Sequence, residues 1–338
     1  MIDKNIIMKF LNGEVQFKRF DKNHANLAKN RQNRLTKPKG SLGKLEKYAV
    51  WMAGWQKKEK PTMNNFHCLV FVGNHGVAKR NVSAYPSEVT EQMVKNFKSG
   101  GAAINQLCKL SNIALSVIPI NLEKPTKDFS EEKAMKPDET LSAMQVGYNS
   151  VPKKCDLLIL GEMGISNTTS ATAISCALFN TSVKKWTGLG TGISEKILKN
   201  KILVIKKGLK LHGKKFDSVI EILSCYGGRE MAAIVGSVIA ARVRGIPILL
   251  DGFVTTASAA TLTIFNKNIL EHCLISHLSS EPGHKGVILK LKKDPILDLN
   301  MKLGEASGGA VAALIIKAAL VTHNKMATFS QAGVSKKI

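Results

Sequence analysis

Aromatic residues are scarce in this 338-residue chain, at 6% of the whole, and 25 acids stand against 49 lysines and arginines. The resulting net charge of +24 is dense at Lys199, Lys201, Lys206, Lys207, Lys210, Lys214 and Lys215. Without aromatics interleaved among the basic stripes, stacking platforms for nucleic-acid bases are missing. The charge reads first as a lysine-rich bias on solvated faces. Attraction of anionic small molecules is the functional alternative, with nucleic acid behind it. The six cysteines Cys68, Cys108, Cys155, Cys176, Cys225 and Cys273 form no C-x-x-C pair and no cluster with histidine. That excludes a disulfide scaffold and the standard zinc patterns, and predicts buried free thiols in a reducing, cytoplasmic setting. The chain has no Walker A loop and no Gly-x-Ser-x-Gly elbow, which argues against P-loop enzymes and serine hydrolases. Its longest apolar runs are broken by Arg242 and Arg244 or by Lys317, so no membrane span is predicted. Asp3 and Lys4 open the chain without a following apolar core, so no signal peptide is predicted.

What is present alternates. Near-continuous apolar runs at 68–72, 113–120, 157–160, 246–250 and 273–275 read as strands. Helical patterns at 45–55, 86–97, 102–110, 170–178, 195–209, 229–243, 285–292 and 305–321 lie around them. Strands that are apolar on both faces predict an α/β fold, a parallel sheet covered by helices on each side. The charged segment 122–139 reads as a surface excursion. In such a sheet ligands bind beyond the carboxyl ends of the strands. That rule selects Gly73-Asn74-His75-Gly76, Gly161 to Thr169, Asp251-Gly252-Phe253, Ser276 to His284, and the Leu303 to Gly309 turn.

Gly161-Glu-Met-Gly-Ile-Ser-Asn-Thr-Thr169 carries the most chemistry. A glycine turn between strand and helix aims backbone N–H groups and a helix N-terminus at one point, where a phosphate binds. Glu162 inside that turn repels a phosphate, so it must face a cationic or proton-donating part of the same ligand. Glu305 stands between Gly304 and the Gly308-Gly309 pair. It is either a helix-terminus acid or a group approached closely by a flat ligand. Asp251 reads as a ribose ligand or as a turn residue. His75, His277 and His284 read as structural or substrate-contacting rather than metal-bound. Gly188-Leu-Gly190-Thr-Gly192 is too short for a dinucleotide fingerprint and reads as a turn lining a pocket.

Taken in order, several segments resemble the nicotinate-nucleotide:dimethylbenzimidazole phosphoribosyltransferase family. They are Lys37-Pro-Lys-Gly-Ser-Leu-Gly43, His75-Gly-Val77, Val82-Ser-Ala-Tyr-Pro86, Gly100-Gly-Ala-Ala-Ile-Asn105 and the Gly161–Thr169 loop. Gly190-Thr-Gly192, Ile246-Pro-Ile-Leu-Leu-Asp-Gly-Phe253, Ser276-His277 with Glu281-Pro-Gly-His284, and Leu303-Gly-Glu305 complete the set. The resemblance spans residues 36–321. It implies a Rossmann-like parallel sheet with a smaller helical part built from both chain ends. Residues 60–300 are then the large domain, and 1–59 with 301–338 the smaller part. It further implies a cytoplasmic homodimer that binds neither nucleic acid nor membrane.

The resemblance also implies a pentosyltransferase acting on nicotinate mononucleotide and a benzimidazole-type base, with adenine or phenolic bases as other acceptors. Neither cofactor nor metal is implied. Glu305 corresponds to the family's catalytic base and Glu162 to its second active-site glutamate. Met163, Gly164, Asn167, Thr168 and Thr169 correspond to the phosphate loop, Gly190 to the second turn, and Lys201 to the lysine after it. Tyr85 and Met93 fall where the base pocket is lined. Ser276, Leu303 and Gly304 complete the expected substrate contacts. Three positions depart from the family pattern: Asn74 replaces an aspartate, Gly188-Leu189 replaces an arginine, and Arg229 follows Gly228 where apolar or acidic residues are commoner.

Overall fold

The computed structural model describes residues 6–190 and 192–335. Asp3 and Lys4, and Thr191 of the Gly190-Thr-Gly192 turn, lie outside the described residues. Six strands form one sheet: β1 (Phe66–Val72), β2 (Ala114–Pro119), β3 (Leu157–Met163), β4 (Ile248–Leu250), β5 (Cys273–His277) and β6 (Pro295–Leu297). Their spatial order is β2-β1-β3-β4-β5-β6, and every pairing is parallel.

The side-chain period of two splits each central strand between two cores. Leu158 and Leu160 face one core with Leu69, Phe71, Ile248 and Leu250. Leu157 and Ile159 face the other with Cys68, Val70, Val72 and Leu249. The first core is covered by helices that include Pro137–Ser150, Asn167–Phe179 and Arg229–Arg244. The second is covered by Lys44–Gln56, Ala103–Ser111 and Ser307–Lys325. With both faces buried, these strands show no polar alternation, which is why they read as apolar runs.

Several boundaries differ from the sequence reading. β3 continues through Gly161 and Glu162 to Met163, because these residues pair with Val70, Phe71 and Val72 of β1. The helix after it begins at Asn167, so the turn proper is only Gly164-Ile165-Ser166. The excursion at 122 ends at Lys136. Pro137 opens a helix to Ser150, its fixed φ and missing N–H suiting a first helical position. The irregular stretch before it is pinned by two of the departures from the family pattern. Asn74 Nδ2 donates to the Leu122 carbonyl at 3.0 Å. The buried Arg229 donates to the Lys124 carbonyl, and to Glu139 at 2.9 Å. The helix at 22–34 lies in the polar stretch 1–35, where Leu27 and Leu35 stand at helical spacing. Helices at 219–226 and 253–260, and strand β6, were not legible, being too short for periodicity to mark them.

The two ends of the chain meet. Arg31 Nε donates to the His323 carbonyl at 2.9 Å, Gln32 bonds the His323 ring at 2.9 Å, and Leu35 bridges Thr328. Among the described residues no helix is long and apolar enough to cross a membrane.

Candidate active site

β1 runs out to β2 on one side, and the chain then returns to β3 on the other. The strand order therefore reverses between β1 and β3, where open parallel sheets form their crevice. A cavity of about 400 Å³ opens beside this point, lined from the ends of β3, β4 and β5 and from the turn before Ser307–Lys325.

Glu162 and Glu305 both reach it, and their backbones are bonded together. The Glu305 N–H donates to the Glu162 carbonyl at 3.1 Å. Glu305 and Ala306 have φ of +59° and +63°, a left-handed pair that L-residues adopt only when held. Three contacts hold it. A Cβ on Gly161 would lie 2.3 Å from the Ala306 nitrogen, so only glycine lets β3 come this close. Ser307 Oγ donates to the Gly304 carbonyl at 2.7 Å. Asp251 Oδ1 accepts the Gly309 N–H at 2.9 Å. The buried Asp251 is thus the anchor of the Glu305 turn, which favours the turn reading over a ribose ligand.

The carboxylates are out of water. Glu162 is buried, and its Oε2 accepts from Asn167 Nδ2. Burial first, then the charges of Glu230 and Asp251, push its pKa up to about 8. Burial first, then Asp251, pushes Glu305 up to about 7. No hydrogen bond to the Glu305 carboxylate occurs among the described residues. An acid with a pKa near neutrality and no partner is poised to take a proton from a ligand.

The other end of the cavity suits an anion. The helix Asn167–Phe179 begins there, presenting first-turn N–H groups and the positive end of its dipole. Lys201 is 0% exposed, although its helix is otherwise lysine-rich and solvated on one face. Its Nζ donates to Thr168 Oγ1 at 2.9 Å and to the Gly188 carbonyl at 3.3 Å. Burial draws its pKa down to about 8, opposed by the nearby Glu281 charge. Tyr85, Met93, Met163, Leu189 and Leu303 form apolar walls, with Tyr85, Leu189 and Leu303 exposed at the rim.

The structure brings Glu162, Glu305, Tyr85, Met93, Met163, Gly164, Asn167, Thr168, Gly190, Lys201, Leu303 and Gly304 to one cavity. It does not bring Thr169 or Ser276 to the lining. Thr169 follows the half-buried Thr168 in its helix and is itself fully buried. Ser276 sits inside β5, its Oγ turned toward Gly309 of the covering helix. His75 is also elsewhere. It is buried, with Nε2 on Glu230 at 2.6 Å and Nδ1 on Ser170 at 3.1 Å. His284 is structural, its Nδ1 accepting the Ser279 N–H at 3.0 Å and its Nε2 meeting Thr256 at 3.1 Å. Burial drives its pKa down to about 3, so it is neutral and Nε2 carries the proton. Lys302 lines the cavity without having been singled out, and Phe253, His277, Ser279 and Glu281 line it from the strand-end loops selected from the sequence. For Glu281 the signals were its place beyond a strand end and its position in the Glu281-Pro-Gly-His284 motif, neither of which gave it a role.

A doubly wound α/β sheet with a carboxylate pair and an anion cradle at its switch point defines an enzyme of the nucleotide-binding kind. The chain belongs to the phosphoribosyltransferase family, whose model matches residues 17–334. It is 50% identical over 307 residues to a nicotinate-nucleotide--dimethylbenzimidazole phosphoribosyltransferase of Mesorhizobium japonicum, covering 91% of each chain. It is 49% identical over 306 residues to the protein of that name from Methylorubrum extorquens, covering 90% of each. The crystal structure of the Thermus thermophilus protein of that name superposes with a TM-score of 0.87 at 33% identity, over 94% of this chain and all of that one.

Proposed function

We propose that this protein transfers the phosphoribosyl group of nicotinate mononucleotide to 5,6-dimethylbenzimidazole, releasing nicotinate and forming α-ribazole 5′-phosphate for the nucleotide loop of cobalamin. The observation that carries this is the pairing, in one cavity, of a buried anion cradle with two protonatable glutamates. The phosphate sits on the first turn of Asn167–Phe179 near Lys201. The pyridinium and ribose then lie toward Glu162, which resolves the conflict of an acid within an anion-binding turn. In the free protein burial favours the protonated form of Glu162; an entering pyridinium supplies the charge that favours its carboxylate.

The flat acceptor base enters between the rim side chains Tyr85, Leu189 and Leu303. One ring nitrogen bonds to C1 of the ribose from the face opposite the leaving group, and the C1–N bond to nicotinate breaks. The bonding electrons return to the pyridinium ring, neutralising it. Glu305 accepts the proton from the second ring nitrogen, so the product base is left uncharged. Opposite-face attack inverts β to α. The developing charge at C1 is oxocarbenium-like, by analogy with glycoside cleavage, and the Glu162 carboxylate offsets it.

The family resemblance supports a homodimer in the cytoplasm. The bonds from Arg31 and Gln32 to His323 support treating 1–59 and 301–338 as one helical part beside 60–300. The test is incubation with nicotinate mononucleotide and a panel of benzimidazole, purine and phenolic bases, with the products identified by NMR. An α-linked nucleotide made best from 5,6-dimethylbenzimidazole supports the reading. Nucleotide binding without product from any base refutes it.

A further inference from the structure

One buried carboxylate of the cavity has no task in this transfer. Glu281 is 6% exposed and stands just ahead of the helix Pro282–Leu291, yet its side chain does not cap that helix. It turns instead toward the Gly188–Gly190 segment. Glu281 Oε1 accepts the Gly190 N–H at 2.7 Å, across 91 positions of sequence. Its Oε2 is buried without a hydrogen-bond partner among the described residues. A Cβ on Gly188 would lie 2.3 Å from that Oε2, so glycine is what lets the segment rest on the carboxylate. Gly190 has φ +55°, and a Cβ there would lie 3.3 Å from Thr168 Oγ1 and 3.6 Å from Lys201 Nζ.

The segment is therefore a strap between two buried charges. On one side Glu281 holds the Gly190 N–H; on the other the Gly188 carbonyl accepts from Lys201 Nζ at 3.3 Å. Leu189 between them projects to the cavity rim, 46% exposed. Among the described residues Lys201 has two oxygen partners, Thr168 Oγ1 and the Gly188 carbonyl, and only the second depends on the strap.

We propose that Glu281 is a positioning residue: it anchors the Gly188–Gly190 strap and thereby holds the Lys201 ammonium at the phosphate end of the cavity. The negative charge of Glu281 also favours the charged form of Lys201. The inference rests on the phosphoribosyl-transfer reading for its substrate, and on the geometry of the strap for its action on Lys201. It places the effect of Glu281 on binding of the phosphate-bearing substrate and not on proton transfer at Glu305.

The experiment compares Glu281→Ala, Glu281→Gln and Gly188→Ala. Glutamine keeps an oxygen for the Gly190 N–H; alanine keeps none. Gly188→Ala forces the strap off the carboxylate from the other side, with the Glu281 side chain intact. Glu281→Ala and Gly188→Ala should each raise KM for nicotinate mononucleotide roughly tenfold or more, the size of one lost charge-assisted contact. In both, kcat should change less than about threefold and KM for the base should stay put. Glu281→Gln should recover most of the loss. Calorimetric binding of nicotinate mononucleotide to unmixed enzyme gives the same comparison without turnover. If wild type binds the nucleotide but makes no product, the transfer reading fails while the binding series still judges Glu281. Unchanged nucleotide affinity in a folded Glu281→Ala or Gly188→Ala overturns the proposal. So does a loss confined to kcat.

Discussion

Replacing Glu305 with glutamine separates the two readings of that residue, proton acceptor or helix-terminus acid. The amide keeps the size and can occupy the same left-handed turn, which is held through backbone bonds rather than through the side chain. It cannot accept the proton of the incoming base, and a lost general base costs about 10²–10⁴-fold in rate, or about 3–5 kcal/mol of barrier. The loss should fall on kcat and kcat/KM together, with nucleotide KM near normal, because the proton moves only on the way to the transition state. The raised pKa adds a second signature. With Glu305 at about 7 in the free protein, the ionised fraction rises about tenfold between pH 6 and pH 8. Wild-type kcat/KM should climb by that factor, and the residual activity of the variant should be flat. Stability supplies the control. A carboxyl whose pKa is raised by folding stabilises the fold at low pH and loses that contribution as pH rises through the folded value. Glutamine should leave Tm unchanged at pH 5 and hold it level or higher at pH 8. Near-normal turnover in Glu305→Gln, or an undiminished pH limb, refutes the assignment and moves the search for the base to Glu162.

Lys201→Met keeps the apolar stem but removes the charge, and should raise nucleotide KM about 10- to 100-fold with a smaller change in kcat, measured at moderate salt; an unchanged KM would return this lysine to a packing role. Glu162→Gln removes an acid whose pKa rises from 4.5 to about 8 on folding. That acid stabilises the wild type below about pH 4.5 and ceases to do so by pH 8, so Tm of the variant should fall less between pH 5 and pH 8.5. Exhaustive chelation should leave activity intact, because a pyridinium leaves as a neutral ring without a Lewis acid; activity lost to EDTA and restored by a divalent ion would reverse that conclusion. Duplex and single-stranded DNA should bind weakly and let go by physiological salt, and tight binding there would give the basic surface a nucleic-acid role.

The α/β class and five of the six strands were legible because a strand buried on both faces must be apolar throughout, and apolar runs survive in one dimension. β6 was not, since Pro295–Leu297 is three half-buried residues at a sheet edge. The loops of the site were also legible, as glycine and polar residues must follow a strand that opens on a ligand. The Glu162 and Glu305 assignments came from ordered motifs, which specify residues without saying how they meet. Tertiary structure decided the rest. The bond from the Glu305 N–H to the Glu162 carbonyl joins residues 143 positions apart, and no local pattern encodes it. Lys201 looks like its solvated neighbours along the helix, and only packing against Thr168 and Gly188 shows that it is buried. Thr169 and Ser276 show the same limit in reverse. Their motifs lie at the strand-end loops, and side-chain direction, set by helix phase and strand pleat, turns them away from the cavity lining. Side-chain identity is local information; burial, and the pKa shifts that follow from it, is a property of everything packed around the residue.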